Sequence, residues 1–278
     1  MPELPEVETI VRDLAPRVVG RRLLAPRLRH RDVLHRVSGP KLIGALEGSR
    51  ILDLTRRAKH AVFLLDNGLR LVVQPGMTGS LLVYEAPLTR EERKYAVLSA
   101  LLEGGGTLVY DDVRRLGTIY LLDRSGWSAY DAKLGPEPLD PGFDASRLAA
   151  QLTGTRQAVK KALMNQRRVV GVGNIYANEA LFRAKIDPSL PAHRLSRQEL
   201  ATLHRCVREV LSDALSANGT TFRDYRRGTG ERGDFQMELA VYGREGEPCV
   251  RCGTRLAMTH AIDGRSTTFC WRCQRVRA

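Results

Sequence analysis

The chain has 278 residues, 43% of them hydrophobic, and a formal net charge of +13. That length suits two domains better than one, and the apolar content excludes a disordered chain. The sequence contains no apolar run of the about 18 residues a membrane span needs. Its start, MPELPEVETI, has three glutamates and lacks the basic-then-apolar pattern of an export signal. These features point to an intracellular protein. The excess of basic residues, arginine above all, favours a nucleic-acid partner over a merely solvated basic surface or an acidic membrane.

Residues 5–18 read as a helix: Val7, Ile10, Val11 and Leu14 repeat at i, i+3, i+4 and i+7, and Pro5, Glu6 and Glu8 suit its first turn. From about 49 to 122 the pattern changes to short apolar runs, RILDL, HAVFLL, LRLVV, SLLVY, TLVY and TIYLL. Turn signals at Asp66-Asn67-Gly68, Pro75-Gly76 and Gly104–Gly106 separate them. This predicts an antiparallel sandwich or barrel. Asp123–Gly142, with Gly135-Pro136 and Pro138, reads as the connector between domains. Helical patterns follow at roughly 145–153, 155–166, 173–184 and 196–217, then a polar loop rich in glycine and arginine over 219–238. The fold class is therefore α+β. Its expected parts are an N-terminal domain over 1–130, a linker over 131–144, a helical domain over 145–240 and a metal-binding segment over 241–278.

The tail reads Cys249-x2-Cys252-x17-Cys270-x2-Cys273. Two CxxC hooks at this spacing are a strong zinc signal, and four thiolates close a tetrahedron with no open position. One structural Zn2+ is expected. Between the hooks, TRLAMTH and STTFC predict a hairpin turning at Asp263-Gly264, with Arg265 held just beyond the turn where a guanidinium suits a phosphate.

At the other end, removal of Met1 would make Pro2 a terminal secondary amine, able to form an imine with an aldehyde carbon. The positive end of the first helix disfavours its ammonium form, and Glu3 is placed to deliver a proton. Taken alone, Pro-Glu is an ordinary helix opening.

Beyond these readings lies an ordered set of motifs: MPELPEVET, RRAKH around Lys59, GMTGSL around Met77, DDVRRLG around Arg114, GVGNIYANEALF around Asn174 and the four-cysteine tail. Together, from residue 2 to residue 274, they resemble the bacterial formamidopyrimidine-DNA glycosylase family. The resemblance implies an N-terminal β-sandwich bearing the first helix, a helical domain with a helix–two-turn–helix motif, and a zinc finger. It implies a DNA glycosylase and abasic-site lyase of base excision repair. Such an enzyme acts on oxidised purines in double-stranded DNA as a monomer in the cytoplasm, associated with the nucleoid. Carried onto this chain, Pro2 is the nucleophile at the sugar C1′, Glu3 the acid at the ring oxygen, and Lys59 and Arg265 support the eliminations. Met77 and Arg114 fill the gap left by an extruded base, Leu116 stands beside them as a wedge, and Tyr95, Arg156 and Asn174 contact DNA. Glu6, Thr221, Arg223 and Tyr225 face the damaged base.

The chain departs from the family pattern at four positions: Leu116 where phenylalanine is usual, Gln74 and Tyr95 in place of histidines, and Trp271 in place of proline. Leucine can wedge but cannot stack, and glutamine can donate to a phosphate but cannot become cationic. None of these touches Pro2, Glu3 or Lys59. Two other readings compete. A relative acting on oxidised pyrimidines is disfavoured by Leu4, since that branch begins Pro-Glu-Gly. A zinc protein that binds lesions without chemistry would need a blocked N-terminus.

Overall fold

A computed structural model describes residues 1–220 and 235–275. The chain divides into two compact units. The first comprises Met1–Ala132 and a return segment beginning at Ala217; the second comprises Lys133–Ser216 and the segment beginning at Phe235.

In the first unit α1 spans Leu4–Val18. Leu4, Val7, Ile10, Val11, Leu14 and Val18 are buried along one stripe, as the 3.6-residue period requires. A capping box closes its N-terminus: Glu6 Oε2 accepts the Glu3 backbone N–H at 2.8 Å. Two four-stranded antiparallel sheets follow. One orders β1 (Leu23–Leu28), β6 (Ala96–Leu102), β7 (Thr107–Asp112) and β5 (Gly79–Tyr84) side by side. The other orders β2 (Ile51–Arg57), β3 (His60–Leu65), β4 (Arg70–Gln74) and β8 (Thr118–Leu122). One apolar core joins them, with Phe63, Leu71, Val73, Leu81, Leu98, Leu108 and Ile119 packed together with Ile10 and Leu14 of α1. This is the β-sandwich with a leading helix that the strand pattern and the resemblance led us to expect.

Six strands match the six apolar runs; β1 and β6 do not. In β1, LLAPRL carries Pro26 and a bulge with Ala25 at φ 46°, which hides its alternation. In β6, AVLSALL reads as well for a helix, and only its pairing with β1 and β7 decides. Short helices fill the loops: α2 (Gly39–Leu46), α3 (Arg90–Tyr95) and α4 (Arg124–Asp131). The last lies in the stretch read as connector. Asp123 accepts the Gly126 N–H at 2.7 Å to cap it, and Tyr130 packs against Tyr120 and His60.

The second unit holds α5 (Ala145–Leu152), α6 (Val159–Leu163), α7 (Asn174–Ala184), α8 (Arg197–Ser216) and a two-stranded hairpin of β9 (Ala257–Thr259) and β10 (Thr267–Phe269). α6 is shorter than its sequence pattern, because Ala158 is spent in an antiparallel bridge to Pro191. The Val159 N–H likewise donates to the Leu190 carbonyl at 2.7 Å. Among the described residues no helix is long and apolar enough to cross a membrane.

Glu179, 1% exposed in α7, accepts the backbone N–H groups of Ala240, Val241 and Tyr242 at 3.0, 2.9 and 2.8 Å, and so fixes the approach to the four-cysteine segment. In Glu179→Gln an amide N–H meets these donors. Urea unfolding should show a loss of about 1–3 kcal/mol, the usual cost of an unsatisfied buried polar group.

Candidate functional site

The sequence-derived site residues fall into two groups, one in each unit. In the first, the chain start is buried: Pro2, Glu3 and Leu4 are all inside, with Glu3 3% and Glu6 2% exposed. Glu6 uses both oxygens on backbone. Oε2 accepts Glu3 N–H, and Oε1 accepts Thr220 N–H at 2.9 Å. Gly219, at φ +83°, lies so close that an added Cβ would stand 3.3 Å from the Glu6 Cα. Lys59, 7% exposed, sits in the two-residue turn between β2 and β3, where Ala58 takes φ 55°. Its approach is set from α1: Arg56 Nε lies 2.9 Å from Glu8 Oε2.

The charges at this spot can be read from their action on the chain's α-amine. Burial lowers the pKa of the Met1 amine, Glu3 and Glu6 oppose that, and Lys59 and Arg114 add to it. Glu3, Glu6, Lys59 and Arg114 are therefore gathered around the N-terminus. His60, next to Lys59, is held below its usual pKa by burial. As a neutral ring it donates from Nδ1 to the Arg57 carbonyl at 3.0 Å and accepts the Tyr130 hydroxyl at Nε2, 2.8 Å away. Gln74 lies beside it, Oε1 3.2 Å from that nitrogen, with its Nε2 3.6 Å from Met1 Sδ.

Met77 and Arg114 come from loops far apart in sequence and meet, with an Arg114 guanidinium nitrogen 3.8 Å from Met77 Sδ. Leu116 is on the same loop as Arg114, and Met77 and Leu116 are each 49% exposed. The loops touch at two glycines. A Cβ on Gly76 would lie 2.6 Å from the Gly117 nitrogen, and one on Gly117 would overlap the Tyr110 hydroxyl. Tyr95 ends α3, half-buried, with Lys94 Nζ 5.1 Å from its ring.

In the second unit, the four cysteine sulfurs lie within 4.8 Å of one another, with Cys252–Cys270 at 3.5 Å and Cys249–Cys273 at 3.9 Å. A tetrahedral zinc with Zn–S bonds of about 2.3 Å needs sulfurs about 3.8 Å apart, so the four fit that ion and leave no position for substrate. Trp271, 55% exposed between the second pair, does not disturb them. Asn174 opens α7, and its side-chain amide donates to the Ser266 carbonyl at 3.0 Å. Arg265, with its side chain 63% exposed, stands next to Ser266 on the hairpin turn, and its N–H donates to Asp263 Oδ1 at 3.1 Å. Arg156 is exposed in the loop before α6. Thr221, Arg223 and Tyr225 lie outside the described residues.

Residues 1–119 match the formamidopyrimidine-DNA glycosylase N-terminal domain, 134–226 its helix–two-turn–helix domain, and 246–276 the zinc finger found in that enzyme and in isoleucyl-tRNA synthetase. The chain belongs to the formamidopyrimidine-DNA glycosylase family. The formamidopyrimidine-DNA glycosylase of Thermomicrobium roseum is 44% identical, and that of Desulfitobacterium hafniense 40%; 99% of this chain is covered in both, with 99% and 100% of the relatives. Among solved structures, the Thermus thermophilus MutM (Fpg) protein superposes with a TM-score of 0.87 at 38% identity, both chains fully covered. Lactococcus lactis Fpg in complex with abasic-site DNA superposes at 0.90 and 32% identity, covering 99% of this chain and all of that one. Membership makes this a DNA glycosylase of base excision repair with the family's abasic-site lyase activity, a zinc-finger DNA-binding enzyme holding one structural Zn2+.

Residues that sequence reasoning missed are mostly those that hold the others. Lys160, fully buried in α6, donates from Nζ to Thr267 Oγ1 at 2.7 Å and to the Ser266 carbonyl at 3.1 Å. Asn178 Oδ1 accepts the Thr268 N–H at 2.9 Å. The available signal was a lysine on the apolar face of a helix that cannot be solvated there. Chelation of the zinc should free this hairpin. Hydrogen exchange should then show lost protection at residues 257–269 while the sandwich strands keep theirs.

Proposed function

We propose that the enzyme excises oxidised purines, formamidopyrimidines and 8-oxoguanine, from double-stranded DNA through its N-terminal proline and then cuts the strand by β,δ-elimination. The observation that carries this reading is the buried chain start, ringed by two carboxylates and two cations that act on its amine. With Met1 removed, Pro2 is a secondary amine in those surroundings. Burial, Lys59 and Arg114 lower the pKa of an amine placed there, against the opposing pull of Glu3 and Glu6, and so favour the unprotonated form that a nucleophile requires.

The nitrogen of Pro2 attacks C1′, and the glycosidic bond breaks with its electron pair leaving on the base. Glu3 protonates the sugar ring oxygen, the ring opens, and a C1′ iminium forms. The iminium acidifies the C2′ hydrogens. Loss of one expels the 3′ phosphate, and a second elimination expels the 5′ phosphate. Lys59 and Arg265 serve beside those phosphates, and water finally releases Pro2. Lactococcus lactis Fpg was crystallised with DNA containing a formamidopyrimidine and with DNA containing an abasic site, which supports the same substrates here.

Flipping a base out of the stack costs a few kcal/mol and leaves a gap. Met77, Arg114 and Leu116 are the exposed residues that suit it: a flexible thioether, a guanidinium and an apolar wedge. Leu116 does this by packing alone. Asn174, Arg156 and Tyr95 add contacts to DNA, and Glu6, whose carboxylate is occupied by backbone, shapes the damaged-base side from beneath. The lesion-facing roles of Thr221, Arg223 and Tyr225 rest on the family resemblance alone.

Borohydride reduction of the enzyme on an 8-oxoguanine·cytosine duplex should give a covalent adduct that peptide mapping places on Pro2. Pro2→Gly should bind the same duplex normally but lose most of its excision and cutting. Undiminished cutting by that variant would exclude the imine route.

A further inference from the structure

Met77 and Leu116 are each 49% exposed and Val113 is 52% exposed, on a protein of net charge +13. Large apolar side chains held out in a basic setting suit a ligand that is both anionic and apolar, as DNA is with its charged phosphates and apolar base faces. These residues sit on two loops. One, residues 75–78, joins β4 to β5; the other, residues 113–117, joins β7 to β8. Covalently the loops are independent, and independent loops would insert independently.

The structure joins them through one buried carboxylate. Asp112, the last residue of β7, is 1% exposed. Its Oδ1 accepts the Thr78 hydroxyl of the first loop at 2.5 Å, and its Oδ2 accepts the Gly117 N–H of the second at 2.8 Å. The Tyr110 hydroxyl donates to Oδ2 at 3.0 Å. Thr78 closes the circuit: its hydroxyl oxygen, having given its proton to Asp112, accepts the Arg114 N–H at 2.9 Å. Arg115, at φ 51°, returns its N–H to the Asp112 carbonyl at 3.2 Å. Every donor in the circuit has an acceptor, and the two glycines leave no room for slack.

We propose that Asp112, acting through the Thr78 hydroxyl, is a positioning residue that makes Met77, Arg114 and Leu116 enter the duplex as one rigid body. This rests on the gap-filling role proposed above for those three residues. A body assembled in advance does not lose loop freedom at the moment of insertion, and a half-filled gap, which would let the base return, is avoided. The coupling matters most where a base pair must be opened and least where the lesion has no partner to leave.

The test is single-turnover excision of 8-oxoguanine from two duplexes: one with the lesion paired to cytosine, the other with it facing an abasic position, where extrusion is cheapest. Thr78→Val removes the bridge without changing the side chain's shape, Thr78→Ser keeps it, and Asp112→Ala removes the whole circuit. On the paired duplex Thr78→Val should be slower by about tenfold and Asp112→Ala by more, as expected for loss of one or several buried hydrogen bonds. On the unpaired duplex both should approach wild-type rates, and Thr78→Ser should match wild type on both. If Asp112→Ala fails to fold, the two Thr78 variants carry the test. Equal slowing on the two duplexes would reveal general damage and overturn the proposal, as would wild-type rates for Thr78→Val on the paired one. A wild-type enzyme that excises from neither duplex would remove the functional reading itself, a failure visible before any variant is made.

Discussion

Met1 is 53% exposed, but Pro2 and Glu3 are buried and Leu4, Val7, Ile10 and Leu14 fully so: the chain enters the core of the first unit from its second residue. Much of the first unit follows from accommodating that start. The leading helix packs on the core shared by both sheets, and its first turn must be closed without water. Glu6 closes it from within by accepting the Glu3 N–H, and with its other oxygen it binds the return segment at Thr220. Pro2 and Glu3 are thereby held against the core. Burial there lowers the pKa of the chain's α-amine, which favours the uncharged state an amine nucleophile needs.

The same device recurs. Glu6, Asp112 and Glu179 are almost wholly buried, and each is covered by hydrogen bonds: from backbone N–H groups at Glu6 and Glu179, and from two hydroxyls and one backbone N–H at Asp112. Isolated buried carboxylates would be costly; carboxylates saturated by donors order the loops that supply them. In a chain with a net charge of +13 the exposed cations remain available for phosphate, while these three buried acids do architectural work.

In the second unit the four-cysteine cluster and Lys160 act from opposite ends of one hairpin. The cysteines fix its base, and Lys160, with Asn174 and Asn178, grips Ser266, Thr267 and Thr268 near its turn. Arg265 stands at that turn, next to Ser266, with its side chain 63% exposed. Zinc here supplies rigidity rather than Lewis acidity, since all four of its positions belong to cysteine.

Much of this was legible in the residues. The cysteine spacing, the apolar stripe of α1, six of the eight sandwich strands and the four longer helical patterns are local signals, carried by periodicities and short separations. The motifs around Pro2, Lys59, Arg114 and Asn174 named chemistry because each packs its functional residue into a short run. Local signals were silent where pairing decides conformation. LLAPRL and AVLSALL become strands only because each has a partner, and Ala158 leaves its helix for a bridge to Pro191. They were silent again about support. The DDVRRLG motif shows an aspartate beside an arginine, but not that this carboxylate receives a threonine from a loop more than thirty residues earlier. Sequence alone determined the four metal ligands and singled out the candidate reactive groups, because both belong to residue type and spacing. Only the tertiary structure decided which groups hold them in place, because a buried hydrogen bond exists only once distant segments have met and water has been excluded.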